Sequence, residues 1–286
     1  MIEGETQGDQ PPSVPDPLAL IVGCEFEFEA VGPVAAIIQV APAPHPSVQI
    51  GREQWDTGSD HHAYLDRFEN RCERFTIAAG RSRIAYEAEL LISDPADLID
   101  PGARETPVGE LPDETLSFVM PSRFCLPDEL GGVAWELFGQ TPPGWGRVQA
   151  VVDYVHTHLQ FMPGASNPWT TAADAYRAGQ GVCRDFAHLA ITFCRALNIP
   201  ARYVFGYIPD VGVPPGGEMD FAAWFEVYLD GRWHTFDARN NTKRIGRVVV
   251  GRGRDAIDVA LITSFGAHAL TGFRVWADEA APPGSS

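Results

Sequence analysis

Five cysteines, Cys24, Cys72, Cys125, Cys183 and Cys194, are spread along the 286 residues, and only Cys183 has neighbours suited to chemistry. It stands just after the glycine-containing stretch GQG and opens CRDFAHLAITFCRALN, in which Phe186, Ala190, Phe193, Cys194 and Leu197 recur at helical spacing. A thiol in the first turn of a helix meets free backbone N–H groups and the positive end of the helix dipole. Both stabilise a thiolate, and the same N–H groups can hold a developing oxyanion. The competing reading of Cys183 is a small buried hydrophobe, the usual state of a free cysteine. Cys194, inside the apolar stripe, fits that second description better.

A thiol nucleophile needs a base, and the base needs a group to orient it. The segment FAAWFEVYLDGRWHTFDARNN holds Asp230-Gly231 between two alternating stretches, a hairpin signal. A two-residue turn there sets Leu229 opposite Arg232, Trp224 opposite Asp237 and Ala222 opposite Arg239, so Ala222, Trp224, Asp237 and Arg239 share one face. An imidazole at position 222 would lie diagonal to Asp237 and could bond to its carboxylate; the residue there is alanine. His234 alternates to the other face of its strand. His188 lies five residues beyond Cys183, about 140° around the helix axis. Asp220, just before the strand, could reach the thiol by loop placement. His188 and Asp220 are thus the candidate substitute bases, while Asp185 suits a helix-start carboxylate. Trp224 and Tyr228 could wall an acyl pocket or simply form sheet core. Arg184 and Arg239 could attract a substrate carboxylate or pair with neighbouring acids.

The elements that must position these residues follow from patterning. From about 18 to 120, stretches such as LALIVGCEFEFEA, AAIIQVA, RCERFTIAA, SRIAYEAELLI and ETLSFVM alternate at period two, which predicts strands and a β-sandwich-like domain. Beyond Pro121, GGVAWELFG predicts a short helix. Val148, Val151, Val152, Val155 and Leu159 form one stripe of a second, and TTAADAYRAG a third that ends at Gly179. His156 and His158, two apart on a helix, point to different faces and are not expected to share a metal. ARYVFGYI predicts a strand after the Cys183 helix, and the segment after 244 adds further strands.

The stretches GVCRDFAHLAITFCRALNIPARYVFGY and AAWFEVYLDGRWHTFDARN together resemble the core of the transglutaminase-like superfamily. That family's pattern is a Gly-Val-Cys-x-Asp-Phe helix start, a His-Ala-Trp strand and a Trp-x-x-Phe-Asp strand. The likeness is close over residues 140–240, and the β-rich part before it is similar to the N-terminal region of bacterial members. It implies an α+β fold in which a papain-like core at 121–278 follows the N-terminal domain at 18–120. Matched residue by residue, Cys183 takes the place of the nucleophile and Asp237 that of the orienting carboxylate. Ala222 stands where the family has its histidine base. The implied reaction is acyl transfer from a peptide or protein amide through a thioester, to water or an amine, with no cofactor. Without the histidine, the resemblance implies an impaired cysteine acyltransferase or amide hydrolase. The alternative is an inactive binding module that holds a peptide or amide ligand.

Composition narrows the partners. A net charge of −17 repels a phosphate backbone and argues against nucleic acid. No stretch approaches 18 apolar residues, so no helical membrane span is expected. The odd number of cysteines, without a CxxC pair, suggests neither a zinc site nor a disulfide framework and favours a reducing cytoplasm. Residues 1–17 and 279–286 are expected to be loose tails.

Overall fold

The computed structural model describes residues 17–281 apart from 95, 215 and 218; of the two expected tails, residues 1–16 and 282–286 lie outside the described residues, whereas Glu279 ends the last strand and the Ala280 N–H donates to Ala19 O. The chain is mixed α/β with three four-stranded antiparallel sheets and one short parallel pair. Six strands come first: β1 Leu18–Ala30, β2 Val34–Ile38, β3 Val48–Asp56, β4 His62–Leu65, β5 Arg71–Ile77 and β6 Gly80–Ile92. In β1 the buried residues Leu20, Val22, Cys24, Phe26 and Phe28 alternate with the more exposed Ile21, Glu25, Glu27 and Glu29, broken at buried Gly23 beneath Trp276. Strands β3 and β4 were not foreseen; their side chains are mostly exposed, so alternation leaves no trace in their sequence.

Helices α1 Pro127–Phe138, α2 Trp145–His158, α3 Ala172–Ala178 and α4 Cys183–Ala196 follow, with β7 Gln160–Phe161 and β8 Gln180–Gly181 between them. Helix α3 starts with a capping box between Thr171 and Asp174 and stops at Gly179, whose φ of 65° is left-handed. Next come β9 Ala201–Tyr207, β10 Ala222–Leu229, β11 Arg232–Phe236 and β12 Val248–Gly253, in the spatial order β11-β10-β9-β12. Asp230 and Gly231 both have positive φ, at 45° and 80°, and the hairpin register runs from Leu229–Arg232 to Phe225–Phe236.

Two expectations are corrected. ETLSFVM is not a strand; Asp113–Phe118 form a 3₁₀ helix that buries Thr115 and Phe118, three residues apart, with the Thr115 hydroxyl bonded to Pro112 O. The last two strands, β13 Ile262–Ser264 and β14 His268–Glu279, do not extend the second domain. Strand β14 runs antiparallel along β1 and β13 along β2, giving sheets ordered β14-β1-β6-β3 and β13-β2-β5-β4. By hydrogen bonding, residues 262–279 therefore belong with the N-terminal strands. Pairing with β14 satisfies the backbone groups along one side of β1, a non-local partnership that residue pattern does not encode.

Helix α4 rests on the β9–β10 sheet. Its residues 185–195 are all buried, and each large apolar side chain so covered contributes about 1.5–3 kcal/mol relative to exposure. Arg195, near the end of α4, donates to Ala201 O, Met120 O, Arg254 O and Ser122 Oγ, tying the helix to the loop before α1 and to the segment after β12. In β9, Gly206 lies between Ala222 of β10 and Val249 of β12, and a Cβ there would sit 2.0 Å from Val248 O. The obstacle is backbone and cannot swing aside. Gly206→Ala should therefore lower stability by about 1–3 kcal/mol, read as a shift of the urea midpoint. An unchanged midpoint would mean that β12 is free to move.

Candidate active site

Cys183 is the first residue of α4, and the turn before it is shaped by Asp185. The Asp185 carboxylate accepts the Val182 N–H at 2.7 Å, and a Cβ on Gly181 would meet the Asp185 Cβ at 2.6 Å. Glycine at 181 is what lets the carboxylate fold back over the helix start. Burial raises the Asp185 pKa, opposed by the Val182 N–H, Ser166 and Arg184. Asp185 therefore acts on the backbone rather than on the thiol.

The β10–β11 ladder ends at Phe225–Phe236. Just past that end the Ala223 N–H reaches the Cys183 thiol, as does the Arg184 N–H. The thiol thus sits where β11 peels away from β10. Burial pushes its pKa above the ordinary value of 9.0; Arg239 lowers it, Asp220 raises it and the two N–H groups lower it. Arg239 comes near from the turn after β11. Its backbone carbonyl is held by His156 Nδ1 at 3.0 Å, and its guanidinium lies 4.1 Å from the Phe161 ring centroid. Phe161 of β7 pairs with Gly181, two residues before the thiol. Asp220 is exposed as a residue, yet loss of water around its carboxylate raises its pKa; the Phe221 N–H at 2.7 Å and Arg239 lower it.

Ala222 and Trp224 turn to the opposite face from Ala223 and Phe225, packing with Val204, Ile208 and Val249. The Arg247 guanidinium lies 5.0 Å from the Trp224 ring centroid and donates to Asp237 Oδ2 at 2.9 Å. Asp237 also accepts from Asn240 Nδ2 at 2.8 Å and from the backbone N–H groups of Arg239 and Asn240. Arg247 bridges on to Asp97. The carboxylate that would orient an imidazole is thus bonded to four other donors. Sequence reasoning passed over Arg247 and Asn240: Arg247 lies ten residues past Asp237 with no motif to mark it, and Asn240 was visible only as the end of the hairpin segment.

Neither histidine reaches the thiol. His188 Nε2 accepts the Ala256 N–H at 3.1 Å, which leaves the proton on Nδ1, a buried atom with no acceptor. Burial drives the His188 pKa down to about 3, with Asp255 opposing and Arg184 and Arg195 adding to the depression. Its accepting lone pair is used, so it does not serve as a base. His234 pairs with Val227, its Nε2–H donates to Leu229 O at 3.2 Å, and its ring meets Trp145 edge-on. Tyr228 meets Trp233 edge-on and stands five residues along β10 from Ala223, about 17 Å of strand. It is not part of the thiol's surroundings. Trp224 is adjacent along the strand but faces Arg247. Arg184 is committed, its Nη2 bonded to Asn167 O and its Nε 3.7 Å from Asp185.

A cysteine that opens a buried helix and meets the free edge of an antiparallel hairpin strand makes the site thiol-centred. Residues 133–238 match the family model of the transglutaminase-like superfamily. The crystal structure of a presumed cysteine protease from Cytophaga hutchinsonii superposes with a TM-score of 0.84 at 28% identity, covering 93% of this chain and 92% of that one. An uncharacterized protein of Mycobacterium leprae is 34% identical over 117 residues, 40% of this chain and 42% of its own length. The human kyphoscoliosis peptidase is 31% identical over 100 residues, 32% of this chain and 15% of that protein. The chain thus spans less than half the length of these two relatives.

The His188 environment has a pH signature. Unfolding returns the imidazole from about 3 to its ordinary 6.5, so between those values the unfolded chain binds the extra proton. Stability carried by neutral His188 is present above pH 6.5 and is lost as pH falls, at up to about 1.4 kcal/mol per pH unit. Urea titrations of the protein and of His188→Gln should converge as pH drops from 7 to 4. Parallel curves would mean that His188 titrates normally in the fold.

Proposed function

We propose that this chain is a transglutaminase-like cysteine protein whose turnover is switched off, and that it holds a peptide or protein amide beside Cys183 without transferring its acyl group. One observation carries this reading: the thiol's pKa is raised, no imidazole among the described residues acts on it, and the carboxylate that would orient one is bonded to Arg247 and Asn240. At neutral pH such a thiol is protonated and poorly nucleophilic. Loss of a general base removes about 10²–10⁴-fold of rate.

The family match and the Cytophaga hutchinsonii fold support the wider class, a protease- or transglutaminase-like protein. In this reading the two N-terminal sheets stack as a sandwich. The five free cysteines suit a reducing cytoplasm, and the net charge of −17 disfavours nucleic acid. Among the described residues no helix is long and apolar enough to cross a membrane, and no membrane partner is part of the proposal.

A second reading is a slow thioester-forming enzyme with Asp220 as its base. It is favoured by that carboxyl's raised pKa beside the thiol, and by the Ala223 and Arg184 N–H groups aimed where an oxyanion would develop.

Iodoacetamide labelling of Cys183 against pH, mapped by mass spectrometry, separates the two. The proposal expects a midpoint above that of a free cysteine, and Ala222→His should bring rapid labelling below pH 7, because position 222 adjoins the N–H that touches the thiol. Fast low-pH labelling of the unaltered protein, abolished by Asp220→Asn, would overturn it in favour of the slow enzyme.

A further inference from the structure

The same site contains a cation with no partner. The protein carries 38 acidic and 21 basic side chains, so nearly every arginine should find a carboxylate. Arg184, Arg195, Arg202, Arg247 and Arg252 are all engaged in ion pairs or multiple hydrogen bonds. The Arg239 guanidinium has neither a carboxylate within ion-pair distance nor a hydrogen-bond acceptor among the described residues.

Its position is nevertheless fixed. The backbone is held on both sides, by its own N–H to Asp237 Oδ1 at 3.0 Å and by its carbonyl to His156. The side chain is laid over Phe161, 4.1 Å from the ring centroid. Phe161 in turn is paired with Gly181, two residues from Cys183. Phe161 and Met162 are both exposed large apolar residues, so the face carrying the guanidinium opens to solvent. An arginine whose planar face is stacked keeps its N–H edge free, and that edge matches a carboxylate in two-point fashion.

We propose that Arg239 anchors a carboxylate of the ligand, so that the Cys183 site selects acidic peptides or amides that carry a carboxylate near the bond presented to the thiol. The proposal rests on the amide-binding reading above. Phe161 sets the guanidinium in place, and Asp220, the nearby acid, rejects ligands whose charge falls on its side instead. Arg184, occupied by Asp185 and Asn167, takes no part.

Alkylation with a charged and a neutral reagent tests this directly. In both reactions the Cys183 sulfur forms a bond to the methylene carbon, iodide leaves with the bonding pair, and the thiol proton goes to solvent. Both draw on the same thiolate fraction, so the ratio of iodoacetate to iodoacetamide rate at Cys183 cancels the thiol pKa and reports only attraction for the carboxylate. The expected ratio exceeds that of N-acetylcysteine amide by about tenfold, the size of one charge-assisted contact, and Arg239→Gln abolishes the excess while Arg239→Lys keeps part of it. Equal ratios in the protein and in Arg239→Gln overturn the proposal. If Arg239→Gln does not fold, the unaltered protein still decides: N-acetylglycine should slow iodoacetamide labelling of Cys183 where N-acetylglycine amide at the same concentration does not, and equal effects refute the anchor. The labelling midpoint tests the inactive-scaffold reading separately, since it follows thiol pKa and not the ratio.

Discussion

Everything distinctive about this site depends on the docking of α4 against β9 and β10. The helix is covered along its length, and its first residue is thereby pressed to the edge of β10 at the point where β11 departs. Two consequences pull in opposite directions. The thiol gains the Ala223 and Arg184 N–H groups, which favour its anion, and it loses water, which disfavours that anion more. Catalytic thiols resolve this conflict with a neighbouring neutral base that takes the proton and becomes the stabilising cation. Here the neighbouring cation is Arg239, which stabilises negative charge but cannot accept a proton.

The Asp237 carboxylate, just past the end of β11, has a full set of partners of its own. A carboxylate left without its imidazole would be a buried unpaired charge, and such charges are costly. Asp237 avoids this through Arg247, Asn240 and two backbone N–H groups, and Arg247 is shared with Asp97 from the segment after β6. The carboxylate now fastens the turn after β11 and links the core to the N-terminal part of the chain. His188 is also structural: its lone pair accepts the Ala256 N–H, which makes it a brace between α4 and the segment after β12.

In this acidic protein the Arg239 guanidinium lies near the thiol with no carboxylate within ion-pair distance among the described residues. The cation is held by an aromatic face and two backbone bonds instead of a carboxylate, so its hydrogen-bonding edge remains available. Ligand recognition and acyl transfer need different groups, and a chain can lose the second while keeping the first.

The amino-acid sequence by itself determined the core's elements: the helix beginning at Cys183, the Asp230-Gly231 hairpin with its register, and the segments that resemble the transglutaminase-like pattern. These are local, set by period, by turn chemistry and by spacing within about 60 residues. Only the tertiary structure decided that β13 and β14 return to pair with β2 and β1, that 113–118 coil into a 3₁₀ helix, and that Tyr228 stands far along the strand from the thiol. It also decided what surrounds Cys183, since Arg239, Phe161 and Asp220 arrive from three separate turns and strands. The reason is physical: alternation and helical period report which way a side chain points from its own backbone, whereas a thiol's pKa and an arginine's partner depend on which distant backbones are packed beside them.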